Sequence, residues 1–340
     1  MKVVFRVDSS AQLGSGHLMR CLTLAEVLHE SGAEIRFICG DLDGNLNAFV
    51  QEKGILVTVL PRTSLVDALA DAKQTILSLG SERPEWMVVD HYGLDVEWEQ
   101  RLKPFVERLL VIDDHSGRSH DCNVLLDQNY SENGAEWYRG LIPTTCKMLL
   151  GPDFALLRKE FGELRGQVSR RKSMDNLLVF FTTGEDQGET LKAMRGIEMF
   201  GQAKNVDVVV GRANKHHTTI KNMCDEMHWG YHCQIDYMPS LIARADLVVG
   251  AGGSSNWERC ALGVPALVTI LARNQITIAE ALHSAGIVCN LGWHHALKPA
   301  DYKDALNKME MWLLSDMSNK ALGLVDTAGA KRVVNAMIFS

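Results

Sequence analysis

Short apolar runs alternate with stretches of helical periodicity along nearly all of this 340-residue chain. The runs at 3–7, 35–39, 57–60, 86–89, 109–112, 124–126 and 148–150 are rich in Val, Ile and Leu and bounded by polar residues, which predicts strands. After His17 the period changes: Leu18, Cys21, Leu22, Ala25 and Leu28 share one helical face, and Gly32 stands where a helix C-cap belongs. Residues 165–174, Arg-Gly-Gln-Val-Ser-Arg-Arg-Lys-Ser-Met, have no apolar period and read as part of a linker. Beyond it the alternation restarts, with strands expected at 177–181, 207–210, 247–249, 266–270 and 287–289. Helices are expected near 190–200, 215–227, 255–262 and 277–285.

This alternation predicts an α/β fold of two doubly wound, Rossmann-like domains, each with a parallel sheet covered on both faces. The expected division is a first domain at 1–164, a linker at 165–175, a second domain at 176–315 and a C-terminal helix at 316–340 that packs back on the first domain. Such a pair leaves a cleft between the domains, facing the carboxyl ends of both sheets, where ligands of these sheets bind.

Composition narrows the function classes. Hydrophobic residues make up 46% and charged residues 23% of the chain, as in a folded globular protein. A net charge of −7 and a pI near 6.0 give no electrostatic footprint for nucleic acid or an anionic membrane. The N-terminus runs into a strand without a signal-peptide pattern, and no run is long and apolar enough to span a bilayer, so a cytoplasmic protein is expected. The eight cysteines are scattered singly, mostly among apolar neighbours, as for reduced core thiols.

Two glycine clusters carry the candidate chemistry. In the first, Gly14-Ser15-Gly16-His17 joins a strand to a helix. Glycines there let the backbone approach a ligand, and the first helical turn offers unpaired N–H groups. The same dipole disfavours a positive charge on His17 and keeps its imidazole available as a proton acceptor. The cluster matches neither a dinucleotide G-x-G-x-x-G nor a P-loop, and a plain tight strand-to-helix turn explains it equally well. In the second cluster, a buried strand runs into Gly250-Ala-Gly252-Gly253-Ser254-Ser255 at a helix start, a combination suited to a diphosphate. Glu258, three residues after Ser255, fits a capping box. Beside a phosphate loop it fits better as a carboxylate for the hydroxyls of a ribose.

Other groupings have simpler accounts. Asp41-Leu-Asp43 has the spacing of a metal-binding D-x-D, but Gly44-Asn45 follow and a turn suffices. Cys224, His228, His232 and Cys233 match no closed zinc pattern. Asp113-Asp114 ends a strand, where sugar binding and loop bonding are equally compatible.

Several blocks in order, from about residue 2 to residue 292, give the chain a resemblance to a known family. They are Phe5-Arg-Val-Asp-Ser-Ser with Gly14-Ser-Gly-His-Leu-Met-Arg-Cys-Leu-Thr-Leu-Ala; Val89-Asp-His-Tyr-Gly-Leu-Asp; Val111-Ile-Asp-Asp; Leu126-Asp-Gln-Asn-Tyr; Leu150-Gly-Pro-Asp-Phe-Ala-Leu-Leu-Arg; Gly250-Ala-Gly-Gly-Ser-Ser-Asn-Trp-Glu-Arg-Cys; and Asn274-Gln. With them the chain resembles the UDP-2,4-diacetamido-2,4,6-trideoxy-β-L-altropyranose hydrolases of pseudaminic acid biosynthesis.

The resemblance implies the GT-B architecture of glycosyltransferases, similar to the MurG group. It also implies a UDP-sugar substrate, release of UDP by inverting C–O cleavage at the anomeric carbon, no cofactor and no metal; a monomer is expected. It implies His17 as general base, with Tyr92 and Asn274 near the sugar. Gly253, Ser254 and Ser255 fall on the diphosphate loop and Glu258 on the ribose carboxylate; Gly14, Ser15 and Gly16 of the first loop are expected to bind substrate as well. One block departs: where relatives carry a Gly-Gly-x-Asp-Pro-like loop, residues 181–189 read Phe-Thr-Thr-Gly-Glu-Asp-Gln-Gly-Glu, with only Gly184 and Asp186 as stand-ins. A GT-B glycosyltransferase using a UDP-amino sugar is the rival reading, and a nucleotide-sugar binding protein without turnover is a third; fold alone decides among none of them.

Overall fold

The computed structural model describes residues 1–61, 67–114, 117–131, 133–168 and 173–339. The chain forms two compact units, one comprising Met1–Leu156 and the chain from Ala328 onward, the other Leu157–Thr327.

In the first unit β1 (Lys2–Val7), β2 (Glu34–Gly40), β3 (Leu56–Leu60), β4 (Trp86–Asp90), β5 (Arg108–Ile112), β6 (Val124–Asp127) and β7 (Lys147–Leu150) form one parallel sheet in the order β3-β2-β1-β4-β5-β6-β7. Between the strands run α1 (Gly16–Glu30), α2 (Asn47–Glu52), α3 (Ala68–Leu79), α4 (Val96–Leu102) and α5 (Gly134–Trp137). Because side chains alternate along a strand, Val3, Phe5 and Val7 enter one apolar cluster while Val4 enters the other on the opposite face. Each fully buried Val, Leu or Phe contributes about 1.5–3 kcal/mol. The predicted helical face is fully used: Leu18, Cys21, Leu22, Ala25 and Leu28 are all buried. The helix ends at Ser31, and Gly32 follows at φ +86°, a left-handed turn that glycine adopts without strain.

The second unit opens with α6 (Lys159–Arg165) and continues through β8 (Asn176–Phe180), α7 (Glu189–Phe200), β9 (Asn205–Val210), α8 (His217–Met227), β10 (Gly230–Cys233), α9 (Met238–Arg244), β11 (Leu247–Ala251), α10 (Ser255–Ala261), β12 (Ala266–Ile270), α11 (Ile276–Ser284), β13 (Cys289–Trp293), α12 (Pro299–Asn307) and α13 (Met311–Leu324). Its parallel sheet has the order β10-β9-β8-β11-β12-β13. Both sheets therefore reverse strand order once, at β1/β4 and at β8/β11. At such a point the loops leaving the carboxyl ends diverge and open a crevice. The Gly14–His17 loop leaves β1 and the Gly250–Ser255 loop leaves β11, one at each reversal.

The unit boundaries differ from those expected. α6 belongs to the second unit, because Arg165 donates to the carbonyls of Ala261 and Leu322 at 2.6 Å each; the first boundary is at 156/157, not 164. α13 also stays there, with Leu314 and Met317 in its core and Ser318 Oγ donating to Gly263 O at 2.6 Å. The returning segment therefore starts at Ala328, not 316. It carries α14 (Gly329–Ile338), whose Ala330, Val333, Val334 and Met337 pack with Leu18 and Leu22 of α1 in one cluster. Of the linker expected at 165–175, residues 169–172 lie outside the described residues. β10, not expected from the sequence, has only half-buried residues, so its apolar signal is weak.

Gly250 illustrates how tightly β11 is set. A Cβ at this position would lie 2.0 Å from the carbonyl oxygen of Phe180 on β8. Gly250→Ala should therefore destabilise the fold by about 1–3 kcal/mol. An unchanged midpoint in urea unfolding would contradict this packing.

Candidate functional site

Carboxylates line the carboxyl edge of the first sheet. Asp8 follows β1, Asp90 ends β4, Asp113 and Asp114 follow β5, and Asp127 ends β6, on four neighbouring strands. His17, in the first turn of α1, meets this row at Asp90: its Nδ1 lies 2.7 Å from Asp90 Oδ1. An ionised carboxylate only accepts, so Nδ1 carries the hydrogen and donates it, and the ring presents Nε2 as an acceptor. Nε2 has no hydrogen-bond partner among the described residues, and the side chain is 14% exposed.

Arg20, one turn further along α1, holds Asp90 in a fork. Nε donates to Oδ2 at 2.6 Å and Nη2 to Oδ1 at 2.7 Å. The same guanidinium reaches Asp114 Oδ1 at 2.9 Å and Oδ2 at 2.8 Å. Asp114 also accepts from the Tyr92 hydroxyl at 3.1 Å and from Asn129 Nδ2 at 3.3 Å. Tyr92 stands edge-on to the His17 ring, with centroids 4.6 Å apart. Burial by itself would raise the pKa of Asp90, but Arg20 and then His17 outweigh it and hold the group well below the usual carboxylate range. Asp114 is likewise depressed, with Arg20 overcoming burial. The Tyr92 hydroxyl is pushed up by burial and by the neighbouring Asp114 charge, so it stays protonated as a donor.

Two buried networks support this row. Arg6 is fully enclosed within β1 and bridges Asp8 (2.6 and 3.1 Å) and Asp71 of α3 (2.7 and 3.2 Å). Asp8 accepts as well from the Gly40 amide at 2.6 Å and from His91 Nε2 at 3.1 Å. His91 Nδ1 accepts from the amide of Gly93 at 2.9 Å, which fixes the loop carrying Tyr92. On the other side, His120 Nδ1 donates to Glu99 at 2.6 Å, and its Nε2 stands 3.4 Å from Asp113 Oδ2. Burial opposes its charge, but Asp113 and Glu99 raise its pKa to about 9. Asp127 accepts from the Tyr138 hydroxyl at 2.9 Å and from the Asn129 amide at 2.9 Å; burial, helped by Asp114, pushes it up to about 7.

In the second unit the glycines of the loop after β11 have different reasons. Gly250 is required by β8, and a Cβ on Gly252 would press on Val268 at 3.1 Å. Gly253 has neither a positive φ nor a crowded Cβ direction, the nearest atom being Gln275 Nε2 at 3.7 Å. Its missing side chain keeps the loop backbone open. Ser254 is the N-cap of α10 and makes no side-chain cap bond, so Glu258 is not part of a capping box. Glu258 is half-buried and no hydrogen bond to it is formed among the described residues; burial raises its pKa, against the pull of Arg158 and Arg259. Ser255 Oγ accepts from Arg259 Nη1 at 3.2 Å. Arg259 also donates to Ala251 O at 3.2 Å and to Asn256 Oδ1, and no carboxylate pairs with this buried guanidinium among the described residues. Asn274 is half-buried on the turn after β12, beside Gln275, whose amide flanks Gly253.

The structure thus brings His17 and Tyr92 together in the first unit. Gly14 there has φ +75° and Ser15 is the N-cap of α1 without a side-chain cap bond. In the second unit Asn274 sits beside Gln275, whose side-chain amide flanks Gly253. Asp186, the stand-in in the divergent loop, is buried: it accepts from Gly188 N at 2.9 Å, Thr190 N at 3.0 Å and the Thr190 hydroxyl, and so caps α7. Asp41 and Asn45 share a turn bond at 3.3 Å. His232 is bound to Asp207 at 2.8 Å and Tyr237 at 3.0 Å. Among the described residues no group of three or more His, Cys, Asp or Glu is placed to hold a metal ion, and no helix there is long and apolar enough to cross a membrane. Sequence reasoning missed Asp90, Arg20 and Arg259 as site residues. The i, i+3 spacing of His17 and Arg20 on α1 was the available signal.

The two Rossmann-type units make this a protein of the GT-B fold. The crystal structure of Acinetobacter baumannii MurG aligns with 100% of this chain and 99% of that one, at a TM-score of 0.70 and 12% identity, which concerns fold alone. The chain is 31% identical over 175 residues to the UDP-2,4-diacetamido-2,4,6-trideoxy-beta-L-altropyranose hydrolase of Campylobacter jejuni, covering 52% of this chain and 58% of that protein, less than two thirds of its length. It is 22% identical over 297 residues to the spore coat polysaccharide biosynthesis protein SpsG of Bacillus subtilis, covering 86% and 84% of the two. No protein-family model matches the chain.

The raised pKa of His120 has a sign that can be checked. A folded-state value of about 9 against an ordinary 6.5 gives stability that is fully present below about pH 6.5 and lost as pH rises through about 9. Over that window wild-type unfolding free energy should fall by up to about 1.4 kcal/mol per pH unit relative to His120→Gln. Parallel profiles for the two proteins would contradict the assignment.

Proposed function

We propose that the chain is a nucleotide-sugar hydrolase that releases UDP from UDP-2,4-diacetamido-2,4,6-trideoxy-β-L-altropyranose in pseudaminic acid synthesis. The observation that carries this reading is the His17 ring, with Nδ1 bound to an ionised carboxylate and Nε2 left as an acceptor at the carboxyl edge of its sheet. In this reaction a water oxygen attacks the anomeric carbon while Nε2 takes its proton. The C–O bond to the diphosphate breaks, its electron pair leaves with UDP, and the anomeric centre inverts. A positioned base contributes about 10²–10⁴ in rate.

The second unit supplies the nucleotide end. Gly253 exposes loop backbone, Ser254 and Ser255 bring hydroxyls, and Arg259 places a positive charge behind them where charge grows on the leaving group. Glu258 receives the ribose hydroxyls. Tyr92 and Asn274 face the sugar, and Gly14, Ser15 and Gly16 form the backbone beside His17. The likeness to the Campylobacter hydrolase supports this substrate, and the GT-B fold is compatible with it.

Proton NMR of the UDP-sugar with the wild-type chain should show free sugar and UDP without any acceptor and in the presence of EDTA. His17→Ala should keep UDP binding and lose about 10²–10⁴ in turnover. Turnover that needs an added acceptor would make the chain a glycosyltransferase, and near wild-type activity in His17→Ala would remove the base. Glu258→Ala should weaken UDP binding about 10- to 100-fold, the worth of hydrogen bonds to a charged group, with a smaller effect on the chemical step. An unchanged affinity in calorimetry would exclude the ribose role.

A further inference from the structure

We propose that Asp90, Arg20 and Asp114 are positioning residues that set the tautomer of the His17 ring and the charge that surrounds it, a role that rests on the hydrolase reading. Asp90 and Arg20 are almost wholly buried and Asp114 is mostly so, with side-chain exposures of 1%, 6% and 14%. Around an uncharged imidazole, one guanidinium and two carboxylates sum to −1. When Nε2 takes a proton from water the sum becomes zero. A partly desolvated cluster is therefore better balanced after proton transfer than before it, which favours the transition state over the ground state.

Each member has a separate task. Asp90 accepts Nδ1–H at 2.7 Å and holds the ring plane. Arg20 occupies both oxygens of Asp90, so that carboxylate stays ionised and cannot swing away. Its Nη2 lies 3.1 Å from Nδ1, where two N–H groups cannot bond, and there its charge opposes the imidazolium. Asp114 offsets that opposition through its own pair of contacts to Arg20. Among the described residues, the groups facing the ring are Asp90 and Tyr92 from the end of β4, Asp114 from the end of β5, and Arg20 from α1; Cys21 reaches Asp90 at 3.5 Å and adds no charge. No bond to the sugar or nucleotide is asked of any of the three.

The test uses the full chain with the UDP-sugar. Asp90→Asn should lower kcat about 10²–10⁴-fold, as when a buried carboxylate partner of a catalytic histidine is neutralised, with KM within about threefold, and Asp90→Glu should recover part of the loss. Asp114→Asn should move the acid limb of the pH–rate profile to lower pH, because it removes a negative charge that favours the protonated ring. Arg20→Met should move it to higher pH. A thermal melt identifies any Arg20→Met protein that fails to fold, in which case Asp114→Asn carries the test alone. The His17 ring signal in ¹H–¹³C NMR should show the same displacements with no substrate present. Activity lost without displaced pH limbs or ring signals would make the cluster merely structural. Displaced signals in a chain that releases no UDP would uphold the cluster and overturn the hydrolase reading.

Discussion

On the proposed reading His17 takes a proton from water at Nε2, and the tautomer that leaves Nε2 as the acceptor is set by one hydrogen bond, from Nδ1 to Asp90. The bond depends on two neighbouring strands. β1 delivers the loop that starts α1, and β4 ends on Asp90 beside it, in register Val7 to Asp90. Were the sheet to continue in one direction rather than reverse between these strands, the helix start and the carboxylate would not meet. Strand order thus brings the histidine and its carboxylate together.

Holding carboxylates at adjacent strand ends is costly, since like charges repel and burial disfavours each of them. The first unit offsets this with buried cations placed between the acids: Arg6 between Asp8 and Asp71, Arg20 between Asp90 and Asp114, and His120 between Glu99 and Asp113. Asp127 has no such cation among the described residues, and its pKa rises to about 7 instead. The same logic reads in reverse in the second unit, where Arg259 is buried behind an open glycine loop and no carboxylate pairs with it among the described residues. On the proposed reading, the diphosphate supplies the missing negative charge.

The fold was legible because buried parallel strands and amphipathic helices leave opposite periodicities, and both were clear from Val3 to Leu28 and again from Leu247 to Leu262. What escaped had weak or misleading signals. β10 buries none of its residues fully, and α6 read as part of the first domain and α13 as part of the returning tail, whereas Arg165 and Ser318 bind both to the second unit. The site was legible in part. His17 and Tyr92 sit together, and the glycine loop lies at the strand reversal, but Asp90 is 73 positions from His17 and only the β1–β4 pairing joins them. Arg6 and Arg20 read as ordinary charges in the sequence, because periodicity reports burial of apolar groups and says nothing of buried ion pairs. Nor did the two roles of glycine separate before the packing was known: Gly250 belongs to the sheet and Gly253 to the loop surface.

The most direct measurement is the ¹⁵N spectrum of the His17 imidazole in the resting protein. Nδ1 should carry a proton in a strong hydrogen bond and couple to a low-field proton resonance, while Nε2 shows the shift of an unprotonated nitrogen. Both features should change in Asp90→Asn. A ring protonated at Nε2 instead, or one indifferent to Asp90, would contradict the account.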